Sequence, residues 1–149
     1  MTIDYAALPG LFAAAVPFAG FLGVEYESVT PDQAVLVLRD DPAKHNHIGT
    51  LHAGALFSLA ESASGLVMMA AIADLLSGVT PLAAKAEITY EKVGRGDVRA
   101  TARIEGGAGP VRETLAEVGK VRFPVVVDLT DESGQTCATV TVDWHLRRT

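Results

Sequence analysis

The sequence predicts an α+β fold, a mainly antiparallel sheet with its helices gathered on one face. Three observations carry that expectation. Two segments of strand composition precede, and four follow, a single long helical stretch, so strands and helices do not alternate as a parallel α/β sheet requires. Turn signals such as Thr30-Pro31-Asp32 and Glu132-Ser133-Gly134-Gln135 sit between neighbouring segments at hairpin spacing. The long stretch is apolar on nearly every side, which suits a helix wrapped by sheet on one side and covered on the other.

The N-terminal segment, Met1 to Gly23, is apolar and carries Asp4, Pro9 and Pro17 but no Lys or Arg. That is not the charged start of a signal peptide, and residues 1–20 are expected to form a packed helical segment. Phe21 to Val29 and Gln33 to Asp40 read as an antiparallel strand pair around Thr30-Pro31-Asp32, where proline fixes the turn dihedral. From His52 to Leu76 only Gly54 and Gly65 weaken an Ala-, Leu- and Met-rich run, which predicts one helix of about 25 residues and about 37 Å. Leu82 to Val93, Asp97 to Glu105, Val121 to Asp131 and Thr136 to Leu146 follow as strands. The first two are expected to form a hairpin through Gly94-Arg95-Gly96, the last two through Glu132-Ser133-Gly134-Gln135. Val111 to Gly119 reads as a short amphipathic helix or an ordered connection.

With 149 residues the chain suits one domain, 1–149, and is short for two separate cores. Hydrophobic residues make up 49% and charged residues 20%, values of a globular protein rather than a disordered or coiled-coil one. Twelve basic against eighteen acidic side chains give a net charge of -6, the wrong sign for a phosphate-backbone binder, so no nucleic-acid partner is expected. The longest apolar run, between Glu61 and Asp74, covers twelve residues against the roughly 20 that cross a bilayer, so no membrane span is expected. Cys137 is the only cysteine, which excludes an intramolecular disulfide and fits a reducing cytosol; the expected location is the cytoplasm.

At 100° per residue, Leu56, Leu59, Ala63, Leu66, Val67 and Ala70 share one side of the long helix, and Phe57, Ser58, Glu61, Ser64, Gly65 and Met68 the other. Glu61 thus stands among small and apolar neighbours, where a carboxylate is costly unless paired or used. Its bland alternative is a carboxylate satisfied by Ser58, Ser64 or a cation. The segment from His45 to Ala55 leads from a loop into the helix, whose N-terminus offers unpaired N–H groups and partial positive charge. Such a terminus suits a carbonyl that becomes an oxyanion, and Ala53 and Gly54 let a ligand approach the backbone. Asn46, six residues before His52, is able to donate to a carbonyl, hold a water or simply brace a turn. His45, His47 and His52 have no carboxylate at helical ligand spacing, so neither a metal nor another cofactor is expected. The serines lack the Gly-x-Ser-x-Gly elbow of serine hydrolases.

The pattern Asn46-x2-Gly49-x2-His52-Ala53-Gly54-x6-Glu61, followed by the long helix and four strands, resembles the hotdog-fold thioesterases, in particular the phenylacetyl-CoA thioesterase-like branch. The resemblance runs from about residue 20 onward. It implies a single hotdog domain, with a curved antiparallel sheet around a central helix, and an acyl-CoA thioesterase whose site lies at a dimer interface. Carried over by residue, it makes Glu61 general base or nucleophile, the Ala53 N–H the oxyanion hole, and Asn46 a binder of thioester or water. His52 shapes the turn or hydrogen-bonds near the thioester as part of the catalytic set, and Gly54, Phe57, Gly65 and Met68 contact substrate. The expected partners are an acyl-CoA or related thioester and further copies of the chain, as a dimer or a dimer of dimers. Lys85, Lys92, Arg95 and Arg122 are candidates for the CoA phosphates. Where the family usually has Gly this chain has Ala53, its common Asp is Glu61, and Gly106 to Lys120 is longer than the usual turn. Two other functions remain open at this stage: a non-catalytic acyl-ligand module and a hotdog dehydratase or hydratase.

Overall fold

The computed structural model describes residues 2–149; Met1, where the expected N-terminal segment begins, lies outside them. That segment forms two short helices, α1 (Leu8–Ala15) and α2 (Pro17–Leu22). Pro17 makes the break. The residue before a proline is pushed out of the helical region, and Val16 sits at φ −124°, ψ 80°. Gly23 ends α2 at φ 82°, a left-handed conformation that glycine adopts without steric cost.

Strands β1 (Glu25–Val29) and β2 (Gln33–Leu38) pair antiparallel as expected. The helix α3 (Ala53–Ala71) starts at its expected place but ends before Leu76. Its end is fixed from outside: Arg112 donates to the Ala71 carbonyl at 3.0 Å and to both carboxylate oxygens of Asp74 at 2.6 and 2.8 Å. That caps an orphan carbonyl and holds the chain in a turn rather than another helical turn. A short 3-10 turn, Leu76–Gly78, then delivers β3 (Val79–Tyr90). β4 (Val98–Ile104), α4 (Ala108–Val118), β5 (Lys120–Thr130) and β6 (Thr136–Arg148) complete the chain. The segment after β4 is thus a true helix, with Val111 and Leu115 buried.

The strands form one antiparallel sheet in the order β1-β2-β4-β5-β6-β3, curved around α3. The expected β5–β6 hairpin is present. The expected hairpin through Gly94-Arg95-Gly96 is not: β3 pairs with β6 at the sheet's edge, whereas β4 lies between β2 and β5. Those glycines instead carry the chain across the end of the β5–β6 hairpin. The amides of Glu91 and Lys92 donate to the Cys137 carbonyl, and the Arg95 amide donates to Asp131. A Cβ at Gly94 would stand 3.0 Å from Cys137 Sγ, so only glycine passes there without displacing that side chain.

The core lies between α3 and the concave face of the sheet. Leu59, Leu66 and Val67 of the helix are fully buried against residues such as Leu36, Val125 and Val140. α3 is long and apolar enough to cross a membrane by length and composition, but most of it is buried inside the protein. The edge strands are the exception to burial: β1 buries no residue, and β3, the free edge opposite it, has Leu82 and Tyr90 62% and 52% exposed.

Candidate functional site

Two concave regions hold the expected site residues, one beside the start of α3 and one beside its middle. The first is a cleft at the N-terminus, lined by Asn46, Thr50, Ala53, Leu56, Tyr90 and Lys92, with a volume of about 330 Å³. His52 caps the helix: its Nδ1 accepts the Gly54 amide at 2.8 Å, so the imidazole proton sits on Nε2. The Leu56 amide already closes the first helical hydrogen bond to the His52 carbonyl. The Ala53 N–H has no partner among the described residues, and its residue lines the cleft. A free amide at the positive end of a helix is the arrangement that stabilises an oxyanion.

Asn46 is committed mainly to its own loop. Its carboxamide oxygen accepts from the amides of Ile48 and Thr50, both at 3.1 Å, and its Nδ2 donates to Thr50 Oγ1 at 2.9 Å. An Asn amide nitrogen carries two hydrogens, so one donor is left for the cleft. Gly54 has a local reason to be glycine, since a Cβ there would stand 3.1 Å from the His52 imidazole. His52 itself faces a separate shallow depression shared with Phe18 and Lys44.

The second region is an apolar cavity of about 330 Å³ beside the middle of α3. Glu61, Gly65, Met68 and Met69 present the helix to it, while Phe12 and Val16 of the N-terminal segment, Leu76 and Trp144 form the other walls. Glu61 is partly buried, and removal from water pushes its carboxyl above the ordinary carboxylate range. The serines do not hold it: Ser58 Oγ donates to the Gly54 carbonyl and Ser64 Oγ to the main-chain carbonyl of Glu61. No salt bridge reaches it among the described residues. Burial alone acts on it, whereas Asp74 and Asp97 are held below the ordinary range by hydrogen bonds and nearby arginines.

The structure thus gathers Asn46 and Ala53 in one region and Glu61, Gly65 and Met68 in the other, with no lining residue shared between them. Phe57 packs against the core and lines neither. Of the candidate cations, Lys85 pairs with Glu87 and Arg122 with Asp143, whereas Lys92 lines the cleft. Sequence reasoning missed Phe12, Leu76 and Trp144 as walls and Tyr90 as the cleft's rim. The chain's one tryptophan, at an inward position of an alternating strand, is the signal that pointed there.

No curated protein matches the chain. Solved structures do. A Pseudomonas aeruginosa protein described as of unknown function and a probable thioesterase is 25% identical, with 100% of this chain and 99% of that chain covered and a TM-score of 0.86. A thioesterase of the same organism is 18% identical over 100% and 97%, with a TM-score of 0.76. The E. coli PaaI protein, from the phenylacetic acid degradation operon, is 20% identical over 95% and 94%, with a TM-score of 0.69. These likenesses show that the sheet and helix described above are the hotdog fold. Residues 6–146 match the family described as Domain of unknown function (DUF4442), and the chain belongs to that family.

Proposed function

We propose that this protein hydrolyses acyl-CoA-type thioesters in a site shared between two copies of the chain. The observation that carries this reading is the pair of half-sites: a free helix N-terminal amide at Ala53 in one region and a desolvated, unpaired carboxylate at Glu61 in the other. Eight residues of helix separate them by about 12 Å, too far for both to meet one carbonyl within a chain. The sheet offers a way to join them. β3 is a free edge whose Tyr90 end borders the cleft and whose Pro81 end borders the cavity. Two copies paired antiparallel along β3 bring the cleft of one beside the cavity of the other, twice, as an isologous dimer requires.

In that arrangement Glu61 takes a proton from water, and the hydroxyl attacks the thioester carbonyl. The developing oxyanion accepts from the Ala53 N–H of the other copy. Collapse breaks the C–S bond, and the thiolate leaves with the proton that Glu61 returns, giving a carboxylic acid and a thiol. A carboxyl raised toward neutrality suits both halves of that transfer. Lys92 at the rim of the cleft suits a carrier phosphate. The relatives described as thioesterases support this reading through the shared fold.

The test is a thioester panel with free-thiol detection. The wild type releases thiol from at least one acyl-CoA, and Glu61→Gln lowers kcat by about 100-fold or more. Full activity in Glu61→Gln would remove Glu61 from the chemistry. Tight binding of an acyl-CoA without hydrolysis would replace the hydrolase with a binding module.

A further inference from the structure

The cavity beside Glu61 has walls that say which acyl group it accepts. Its surface is almost wholly apolar, contributed by Phe12, Val16, Met68, Met69, Leu76 and Trp144. Apart from the Glu61 carboxylate, the polar groups in and behind those walls are occupied internally. Trp144 Nε1 donates to Ser64 Oγ at 3.1 Å, and Ser64 Oγ in turn donates to the main-chain carbonyl of Glu61 at 2.7 Å. Among the described residues no side-chain donor is left for a substrate hydroxyl, and no cation lines the cavity to meet a second carboxylate.

Resting on the reading of Glu61 as the catalytic carboxylate, we propose that this cavity takes an uncharged aliphatic acyl group of medium length, with Gly65 and Met69 setting how much of it fits. The group enters at Glu61 and runs along α3 past Gly65 to Met68 and Met69, a path of about 10 Å at 1.5 Å per residue. At about 30 Å³ for each methylene-sized group, a cavity of about 330 Å³ seats on the order of ten of them, and a palmitoyl chain runs beyond it. Gly65 is the waist. A Cβ there would stand 3.2 Å from Phe12 Cε2 and 3.6 Å from Trp144 Cζ2, so an added methyl displaces the Phe12 ring that walls the cavity. Met69 is partly exposed at the far end, where truncation lengthens the cavity without emptying the core.

The experiment compares butanoyl-, hexanoyl-, octanoyl-, palmitoyl- and adipoyl-CoA as substrates of the wild type, Gly65→Ala and Met69→Ala. With the wild type, kcat/KM rises up to about fourfold for each methylene buried, about 0.8 kcal/mol, until the cavity is full, and falls at palmitoyl. Adipoyl-CoA, with its charged end, is about tenfold or more poorer than hexanoyl-CoA. Gly65→Ala moves the optimum to shorter chains and Met69→Ala to longer ones. A chain-length profile that is flat, or that neither variant shifts, overturns the cavity as the acyl site while leaving the hydrolase reading intact. If the wild type hydrolyses none of the panel, the hydrolase reading fails and calorimetry of the same ligands decides the cavity. Affinity that grows with chain length and weakens in Gly65→Ala supports it; affinity indifferent to chain length overturns it.

Discussion

The indole of Trp144 on β6 donates to Ser64 of α3 across 3.1 Å, and Ser64 donates in turn to the main-chain carbonyl of Glu61. This relay fixes the turn of α3 that carries Glu61 to the strand opposite it. Ser64→Ala leaves the buried indole N–H without an acceptor, and a loss of about 1–3 kcal/mol of stability is expected by urea denaturation. In the double variant with Trp144→Phe no donor is orphaned, so its loss falls short of the sum of the single losses. Additive losses would mean that the hydrogen bond carries no coupling.

Glu61 is expected to trade stability for activity. Its carboxyl is raised by burial, so the folded state holds a proton more firmly than the unfolded chain. The sign follows: stability is greatest below the ordinary carboxylate value of about 4.3 and declines as pH rises from there through the raised folded value. At neutral pH, therefore, Glu61→Gln melts higher than the wild type, by about 2–4 °C for each 1 kcal/mol gained, while losing activity. The wild-type rate falls on the acid side at an apparent pKa above that ordinary value. A limb at or below it would mean a well-solvated carboxylate.

Arg112 holds the end of α3 by three hydrogen bonds, to the Ala71 carbonyl and to both oxygens of Asp74. Lysine has the charge but not the planar fork. Arg112→Lys is expected to lose about 1 kcal/mol, a modest figure because the pair is partly exposed, and to loosen the turn that delivers Leu76 to the cavity. Hydrogen exchange at residues 72–78 checks it: faster exchange is expected there, with no change in β5 and β6.

What the sequence made legible was governed by local chemistry. The start of α3, the pairing of β1 with β2 and the β5–β6 hairpin follow from capping, proline and turn residues within a few positions of each other. The end of α3 and the placement of β3 depend on partners far along the chain. Arg112 lies 38 residues beyond Asp74, and Asp131 lies 36 beyond Arg95, so periodicity near Leu76 or Gly94 carries no trace of either. The site divides in the same way. Glu61 stands out because a lone carboxylate in an apolar helix is legible from its neighbours, and the Ala53 amide follows from the helix start. Phe12 and Trp144, whose separation in sequence is large, enter the cavity only through the tertiary packing of α1 and β6 against Gly65.

The shared-site reading turns on a variant that replaces one N–H by a ring carbon and leaves the backbone path unchanged. Ala53 is the first residue of α3, where proline is well tolerated because its missing amide proton would be unpaired anyway. His52 before it already has φ −62° and ψ 144°, the extended conformation that a following proline demands. Ala53→Pro is therefore expected to keep the fold, with an unchanged circular dichroism spectrum, and to lower kcat by about 10²–10³ through loss of the oxyanion donor. Glu61→Gln is inactive for a different reason, at the other half-site. When the two variants are mixed after reversible dissociation, about half of the dimers are mixed, and each of these holds one intact site and one doubly damaged site. About a quarter of wild-type activity should then return. Mixed dimers that form and stay inactive would mean that Ala53 and Glu61 act within one chain, and the 12 Å of helix between them would leave the hydrolase reading without an oxyanion hole.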